Sequence, residues 1–405
     1  MRKASLTLIF FTVFIDLMGF GILIPILPTF ASKELNITDF GIGVIVAAYS
    51  LVQFLFNPVL GKLSDRYGRK PLILISLSCT IASYIIFAFS HSFLILLLSR
   101  VLGGFGGSNI GVAQAYIADI TTKQERSKGM GMIGVAFGLG FLFGPIIGGI
   151  LSGYGYMIAG LGSAAFSSSA FIFAFFFLKE SLKGEKKLSV HKEKIFDLKF
   201  TLQTIKHPDV GILIFIFFVI TFSMANLYGT FSLLGYKEYN FSDRQIGYLF
   251  GVMGIVSTIV QGGFIKFVSA KLSEKTTILI GTFCMMLGLG MLPYGQSFGG
   301  LIIVIIFMSV GTGLLQPTVL SMISKYSSEK EQGAILGINQ SLSALARVLG
   351  PLWGGFAFDY FGYQFPFLTA GAFMLFTFLF SLFMLDSKKY SKLNSEKIEY
   401  TATVE

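Results

Sequence analysis

Apolar runs of about 20 residues recur along the whole chain, and a helix of that length crosses the roughly 30 Å hydrocarbon core of a bilayer. Hydrophobic residues make up 54% of the 405 residues, and charged residues only 13%. A soluble protein carries roughly 25% charged residues. The sequence therefore predicts an all-α membrane protein and excludes an ordinary soluble domain.

Twelve apolar runs can be placed as transmembrane helices. The run that begins at Ala4 is too long for a signal peptide and contains Asp16, so we interpret it as the first span. Cys79 and Cys284 fall inside apolar runs and indicate neither a disulfide framework nor a metal site. We expect spans at roughly 5–30, 41–60, 71–90, 93–119, 129–152, 157–178, 208–234, 245–267, 276–295, 300–324, 333–357 and 364–385.

The positive charges predict how the chain is oriented. An even number of spans puts both termini on one side of the membrane, and 26 of the 31 Lys and Arg residues fall on that side. Cytoplasmic segments carry such an excess, so we expect both termini to be cytoplasmic. Topology therefore explains the net charge of +10, which does not indicate a nucleic-acid partner.

One long polar stretch divides the spans into two groups of six. We predict an N-terminal six-helix bundle at 1–178, a cytoplasmic linker at 179–207 and a C-terminal six-helix bundle at 208–386. Residues 387–405 are rich in Ser, Lys and Glu, and we expect them to form a disordered cytoplasmic tail.

The two groups of spans carry an internal repeat. Gly-Pro-Ile-Ile-Gly-Gly at 144–149 recurs as Gly-Pro-Leu-Trp-Gly-Gly at 350–355, an offset of 206 residues. Parallel repeats of this kind build transporters whose substrate site lies between the halves, near the bilayer midplane. The repeat therefore predicts two pseudo-symmetric bundles with a site between them.

The segment between spans two and three, from Gly61 to Pro71, reads GKLSDRYGRKP. Gly61 and Gly68 permit tight turns there. A basic cytoplasmic loop would satisfy topology alone, but the full string is more specific. It closely resembles the signature loop of the major facilitator superfamily, and the resemblance covers essentially the whole chain. It implies that superfamily's fold and a charge relay in which Asp65 and Arg69 latch one conformation.

Asp119 and Arg126 bracket the end of span four and extend this charge group. An anion at a helix C-terminus is unfavourable, so we expect Asp119 to meet a cation from the loop between Asp65 and Lys70. Plain solvent exposure of Asp119 is the alternative.

Span five carries glycines along one edge and a proline break, at Gly131, Gly140, Gly144, Pro145, Gly148 and Gly149. Such a helix packs closely against its neighbours and can bend. The spacing is similar to the antiporter signature of drug/proton exporters in the same superfamily, and that resemblance favours export. Close packing alone is the alternative.

Span four has one small, polar face, formed by Arg100, Gly104, Gly107, Gly111, Gln114 and Ala118 at helical spacing. Such a face is costly in lipid, so it points at protein or at a water-filled cavity. The pattern around Arg100 resembles a family motif whose arginine is implicated in proton transfer. The alternative is that the Arg100 side chain extends to the interface on the outer side of the same membrane.

Asp16 is the only carboxylate well inside a predicted span. A carboxylate in lipid is costly and is usually functional. Burial favours its protonated form, which suits a proton carrier. We therefore predict that Asp16 carries a coupled proton, with Arg100 as a relay. A structural hydrogen bond to neighbouring helices is the alternative.

Polar residues inside the spans are candidates for a substrate cavity. Arg347 in span eleven is an intramembrane cation that meets either an anionic substrate or a carboxylate. Each amide alone is equally well explained by a helix–helix hydrogen bond. The candidates are Gln114, Asn226, Gln261, Gln316, Asn339, Gln340 and Arg347.

Within the superfamily, the chain resembles the tetracycline/proton antiporters in residues 14–21, 61–71 and 137–149. Those exporters have an acidic residue in the third helix, a histidine in the eighth and an acidic residue in the ninth. This chain instead has Ser83, Ser257 with Thr258, and Met285 near those places. The resemblance therefore implies an exporter without identifying tetracycline as its cargo.

The first hypothesis is proton-coupled export of small hydrophobic compounds or drugs by alternating access, in a bacterial inner membrane. The second is an exporter or facilitator of a sugar, amino acid or other metabolite without strong proton coupling. The third is a membrane receptor or scaffold, for which the short extramembrane segments leave little room.

The sequence contains no catalytic triad, metal cluster or nucleotide-binding loop, so we expect neither enzyme activity nor a cofactor. The proton gradient is the expected energy source. We expect a monomer whose partners are a small-molecule substrate, protons and the lipid bilayer.

Overall fold

The computed structural model of the protein describes residues 2–182, 198–207, 209–327 and 331–385. Every regular element in these ranges is a helix. The predicted tail at 387–405 and most of the predicted linker lie outside the described residues.

The first half of the described chain contains the six predicted spans. Predicted span four is broken by a turn at Gly107 and Ser108, which separates α4 from α5. The helices are α1 (Arg2–Lys33), α2 (Asp39–Tyr67), α3 (Arg69–Ala88), α4 (Phe93–Gly106), α5 (Asn109–Ile120), α6 (Lys123–Ser152) and α7 (Tyr156–Phe177).

The second half begins with a short helix that lies within the predicted linker. Predicted span eight contains a π-helical turn, Val260–Phe264, between α10 and α11. The helices are α8 (Leu198–Lys206), α9 (Val210–Lys237), α10 (Asp243–Ile259), α11 (Ile265–Lys271), α12 (Glu274–Met291), α13 (Phe298–Tyr326), α14 (Gln332–Phe361) and α15 (Phe365–Met384).

Several helices begin where a side-chain oxygen accepts a hydrogen bond from a free backbone N–H. Thr38 caps α2 and Ser92 caps α4 in this way. Ser242 and Gln245 form a reciprocal capping box at the start of α10. Each cap contributes about 1 kcal/mol, and together they fix where these helices start.

The segment predicted as a loop at 61–71 is largely helical. α2 continues through Gly61 to Tyr67, and the Ser64 hydroxyl donates to the Gly61 carbonyl at 2.6 Å. Gly68 alone turns the chain, with a φ of +105° that favours glycine. Gly61 therefore lies within α2 and makes no turn.

Eleven helical segments in the described ranges are long and apolar enough to cross a membrane. The remaining predicted span corresponds to α14, which has 30 residues and packs against α2 and α9. Gln340, Ser341 and Arg347 lie on its cavity side and make it more polar than the others. A cavity-lining helix does not need to be apolar all round.

Large apolar side chains cover the outside of the helices. Ile172, Phe175, Phe176, Phe376 and Phe383 are all more than half exposed. A contiguous apolar surface of this size would cause aggregation in water. In a bilayer it is the surface that faces the lipid chains.

Glycines on α6 bring its backbone against α1. A Cβ atom placed on Gly144 would lie 2.6 Å from the Cα atom of Gly21. Gly148 approaches the Ile22 carbonyl oxygen even more closely, and Gly140 approaches α1 in the same way. The glycine edge predicted for span five is therefore a helix-packing surface.

The second half repeats this packing. A Cβ atom placed on Gly350 would lie 2.7 Å from the backbone nitrogen of Asn226 on α9, and Gly354 approaches the side chain of the same residue. The repeated strings at 144–149 and 350–355 thus make equivalent contacts, α6 on α1 and α14 on α9.

The last glycine of each string joins the two halves. A Cβ atom placed on Gly149 would lie 2.6 Å from the carbonyl oxygen of Asp243 on α10. Gly355 approaches the carbonyl oxygen of Asp39 on α2 in the same way. Both contacts lie at one end of the bundle, which we name the Asp39 end.

The other end, which we name the Asp65 end, is more open. Several glycines there have open space around them: a Cβ atom would have no atom within 4 Å among the described neighbours if it were placed on Gly61, Gly131, Gly134, Gly333 or Gly337. The two halves are therefore closed against each other at the Asp39 end and separate towards the Asp65 end.

We expect Gly144→Ala to lower the stability of the purified protein, because the added methyl group meets the backbone of α1, which cannot rotate away. Overpacking of this kind costs about 1–3 kcal/mol. The matched control is Gly134→Ala on the same helix, where the methyl group meets open space. Thermal unfolding in detergent measures both variants, and equal melting temperatures would contradict the packing role.

Candidate functional site

A cavity of about 1000 Å³ lies between the two halves. Helices α1, α2, α4, α5 and α6 of the first half and α9 and α14 of the second half form its wall. Contacts between the halves close it at the Asp39 end. Its volume is that of a site for a drug-sized molecule.

Aromatic rings form a continuous part of the wall. Phe20 lies 5.1 Å from Tyr49 and 6.1 Å from Phe141, measured between ring centroids. Phe141 also lies 6.3 Å from Phe137 and 6.1 Å from Tyr228, which belongs to the second half. This surface suits a planar, apolar or aromatic compound.

Arg100 lies on the cavity wall and is buried, with 3% of its surface exposed. Its Nε atom donates to the Ser99 hydroxyl at 3.2 Å, and Nη2 donates to the Ser83 hydroxyl at 3.4 Å. The guanidinium also lies 5.7 Å from the ring centroid of Phe87. These contacts hold Arg100 inside the protein, so it does not extend to the membrane interface.

The glycines that follow Arg100 on α4 accommodate an aromatic side chain of α2. Gly104 approaches the Tyr49 backbone, and Gly107 approaches the Tyr49 hydroxyl group. Further along the same face, Gly111 and Gln114 line the cavity. The small, polar face predicted for span four therefore faces protein and cavity.

Arg347 lies on the opposite wall, on α14, and is partly buried. Among the described residues, its guanidinium has neither a hydrogen-bond acceptor nor a carboxylate partner. The Tyr49 side chain lies close enough to interact electrostatically with both Arg100 and Arg347. The two cations therefore face one cavity from different halves.

Gln114 and Gln340 also lie on the cavity wall. Asn226 and Asn339 do not: both are buried within the second half. Asn226 donates from Nδ2 to the carbonyl oxygen of Pro366 at 2.6 Å, a helix–helix hydrogen bond of the kind that was the alternative for these amides.

Gln261 and Gln316 lie away from this cavity as well. Gln261 is exposed in the π-helical turn, and Gln316 is partly buried on α13. Neither helix contributes to the cavity wall. A single amide in an apolar run does not reveal which way its helix face points, and this is why these four placements differ from the prediction.

Asp16 lies behind the cavity rather than in it. The next residue, Leu17, lines the cavity, whereas Asp16 is buried towards α5 and α7. Its carboxylate accepts hydrogen bonds from the Asn109 amide at 3.0 Å and from the Ser167 hydroxyl at 2.8 Å. Both partners are neutral, and no described cation is paired with Asp16.

Asp16 and Arg100 do not contact each other. Each has its own hydrogen-bond partners, and the buried side chain of Tyr84 lies within electrostatic range of both. Sequence reasoning missed Asn109 and Ser167 because a polar residue inside an apolar run gives no sign of its partner. The break between α4 and α5 places Asn109 at the start of a new helix.

The predicted charge relay is assembled around Arg69 at the Asp65 end. Its Nη2 atom lies 2.6 Å from the Asp65 carboxylate, and Nε lies 3.1 Å from the Asp119 carboxylate. Nη1 donates to the Ser64 hydroxyl at 2.5 Å. Asp119 thus has the cationic partner that its place at a helix C-terminus requires.

Two residues that sequence reasoning missed complete this cluster. Glu180 accepts hydrogen bonds from the backbone N–H groups of Arg69 and Lys70 at 2.9 and 3.1 Å, and so caps α3. Ser181 donates to Asp119 at 3.1 Å. The side chain of Arg126, which was also predicted to join the relay, lies outside the described residues.

A second charge cluster, which sequence reasoning also missed, joins the halves at the Asp39 end. Lys237 on α9 lies 2.6 Å from the Asp39 carboxylate. Asp359 on α14 accepts hydrogen bonds from the N–H groups of Asp39 and Phe40 at 3.2 and 2.8 Å. We name Asp39, Lys237 and Asp359 the outer latch, where outer refers only to the Asp39 end of the bundle. Its members are so far apart in sequence that no local pattern signals them.

The model of the Major Facilitator Superfamily matches residues 9–294 and 213–404. Multidrug resistance protein 2 of Bacillus subtilis (strain 168) is 31% identical over 383 residues, which cover 92% of this chain and 93% of that protein. The class D tetracycline resistance protein of Salmonella ordonez is 29% identical over 352 residues, which cover 85% and 87%.

Solved structures of other transporters are similar to this chain over most of its length. The human organic anion transporter MFSD10 (TETRAN) has a TM-score of 0.69 and 25% identity, covering 94% of this chain and 99% of that chain. The nucleoside transporter NupG has a TM-score of 0.78 and 13% identity, and the match covers 94% of this chain and 99% of that chain. NupG therefore shares the fold of this chain.

The resemblance found in the sequence and the predicted fold class are thereby confirmed. With its two halves around one central cavity, the chain belongs to the Major Facilitator Superfamily and is a multi-pass membrane transporter.

Proposed function

We propose that this transporter exports small, amphipathic aromatic compounds in exchange for protons, by alternating access, and that Asp16 carries the proton. The names of relatives as multidrug and tetracycline resistance proteins support export. The observation on which the proposal depends is a buried carboxylate with neutral partners, directly behind the cavity wall.

The surroundings of Asp16 suit both protonation states. When the carboxyl group is ionised, Asn109 and Ser167 donate to its two oxygens. When it is protonated, the Ser167 hydroxyl can rotate and accept, while Asn109 continues to donate to the other oxygen. A lysine or arginine partner would instead hold Asp16 in the charged form.

A change at Asp16 can reach the cavity through α1. Asp16 connects this helix to α5 and α7, and the adjacent Leu17 lines the cavity and packs against Gly140 of α6. An ionised carboxylate costs at least about 2.5 kcal/mol more than an apolar residue at the membrane centre. Gaining or losing the proton therefore changes the preferred position of α1.

We further propose that the Asp65 end faces the cytoplasm, in a bacterial inner membrane, and that the molecule works as a monomer. The basic residues support this orientation, since cytoplasmic segments carry most Lys and Arg. In this orientation the structure has its cavity closed on the outside and ready to accept cargo from the cytoplasm. One chain forms the whole cavity, which supports a monomer.

The orientation predicts how single cysteines react in intact cells. In a background without Cys79 and Cys284, Lys33→Cys at the Asp39 end should react with an impermeant maleimide. Lys62→Cys at the Asp65 end should react only after the cells are broken. Both positions are exposed, so the comparison is matched. Labelling of Lys62→Cys in intact cells would contradict the orientation.

We expect Asp16→Asn to abolish uphill accumulation of the neutral dye N-phenylnaphthylamine in everted vesicles, because the amide cannot exchange a proton. Downhill exchange of the dye should persist. Ser167→Ala keeps the carboxyl group and should retain coupling with a changed pH dependence. Gradient-driven accumulation by Asp16→Asn at the wild-type level would rule out Asp16 as the coupling site.

The outer latch predicts a change in conformational balance. Asp359→Ala removes a charge-assisted tie between the halves, worth about 1.5–3 kcal/mol, so the form open at the Asp39 end should become at least about tenfold more populated. Lys33 on α1 and Tyr360 on α14 are both exposed and belong to different halves. Pulsed electron paramagnetic resonance between spin labels at these two positions measures the distance between the halves at the Asp39 end.

Thr38→Ala is the matched control for the outer latch. It removes a cap from the same helix, but the lost hydrogen bond to the Gly41 N–H lies within one half. We expect it to lower stability by about 1 kcal/mol and to leave the distance distribution unchanged. The latch assignment fails if both variants change the distribution equally.

A further inference from the structure

We propose that the cargo is an aromatic anion, held in the cavity between Arg100 and Arg347. The proposal rests on the proposed export function only in taking the cavity as the cargo site. It goes further by naming the charge of the cargo and the residues that bind the charged group.

The first argument is the charge of the wall. Two guanidinium groups line the cavity, and no Asp or Glu is among the described residues that do so. A guanidinium does not lose its proton in a protein, so both groups are permanent cations. A cationic compound would meet two like charges there, whereas an anion would meet two opposite charges.

The second argument is that Arg347 has no partner. The ion pairs among the described residues join Arg69, Lys237 and Lys325 to carboxylates, and neither cavity arginine takes part in one. Charged side chains in membrane spans normally pair with one another or face a water-filled cavity. A partly buried guanidinium without a carboxylate partner on the wall of a largely apolar cavity is therefore a binding site for an anion that enters.

Arg100 differs from Arg347 in being pre-oriented. Ser83 and Ser99 accept hydrogen bonds from two of its nitrogens, and Phe87 lies beside the guanidinium group. Hydroxyl acceptors fix the direction of the group without neutralising its charge. Arg100 thus presents a positioned cation, and Arg347 supplies a second one from the other half.

Tyr49 and the neighbouring rings define the rest of the cargo. Tyr49 lies within electrostatic range of both arginines, and its hydroxyl group can donate a hydrogen bond to an anion between them. Phe20, Phe141 and Tyr228 extend the aromatic wall beside it. A planar ring system bearing one carboxylate or a similar anionic group fits this surface.

An anion bound by both arginines would also connect the two halves, because Arg100 belongs to α4 and Arg347 to α14. The halves are separate at the Asp65 end in this structure. Binding of the anion would therefore favour their approach around the cargo, whereas a neutral compound of the same shape would not.

Three probes of one shape test this proposal: a naphthalene carboxylate, its methyl ester and the corresponding naphthylmethylammonium ion. Isothermal titration calorimetry of the purified full-length protein measures their binding. We expect the carboxylate to bind at least about tenfold more tightly than the ester, because it forms charge-assisted hydrogen bonds that the ester cannot form. The ammonium ion should bind most weakly.

Variants assign the effect to Arg347. Arg347→Gln should weaken carboxylate binding about tenfold or more and leave ester binding within about twofold, which also shows that the variant is folded. Arg347→Lys keeps the charge, and its affinity for the carboxylate should lie between those of the wild type and Arg347→Gln. Arg244→Gln, which removes an exposed arginine outside the cavity, is the matched control and should bind like the wild type.

The proposal is overturned if the ester binds as tightly as the carboxylate, if the ammonium ion binds most tightly, or if Arg347→Gln weakens both neutral and anionic probes equally. Inorganic phosphate that binds as tightly as the naphthalene carboxylate would also overturn it, since the aromatic wall would then contribute nothing.

Transport in everted vesicles separates this proposal from the function on which it rests. Proton-driven accumulation of the ester without binding of the carboxylate would leave export intact and eliminate the anion site. Carboxylate binding that depends on Arg347, without gradient-driven accumulation of any probe, would support the anion site and refute proton-driven export.

Discussion

The lipid core supplies no counter-charge, so every ionised group that the chain places there must be compensated by the protein or by something that enters. Asp16, Arg100 and Arg347 lie inside the described spans and have no oppositely charged partner among the described residues. Asp16 lies behind the cavity wall and the two arginines lie on it, so we propose separate sites for the proton and the cargo. Import of a proton and export of an anion both move positive charge inward, and each charge gains about 2.3 kcal/mol per 100 mV of membrane potential.

We propose that the protein alternates between a form closed at the Asp39 end and a form closed at the Asp65 end, and that close backbone contacts at glycines permit this change. Gly144 and Gly350 pack each half internally, whereas Gly149 and Gly355 join one half to the other. Contacts between smooth backbones can be broken and reformed without repacking large side chains, and interfaces of this kind have discrete alternative states. The outer latch adds a few charge-assisted hydrogen bonds at the closed end, enough to bias the balance without fixing it.

Much of this could be predicted from the sequence because long apolar runs, basic loops and a repeated glycine string are local patterns. They indicate the helices, the repeat that relates the halves and a cationic partner for Asp119 in the segment between Asp65 and Lys70, which the structure identifies as Arg69. The break at Gly107, the partners Asn109 and Ser167 and the outer latch depend on which helix faces which neighbour, and a single apolar run does not encode that direction. For the same reason Gln340 lies on the cavity wall while the adjacent Asn339 is buried within the second half.

The central claim is that cargo binding and proton exchange use different residues coupled through α1. Proton release on adding the naphthalene carboxylate to purified protein in weakly buffered solution tests it most directly. The account predicts about one proton released per carboxylate bound by the wild type, and none by Asp16→Asn, although that variant still binds the compound. Equal proton release from the two proteins would contradict the account, because the proton would then come from another group.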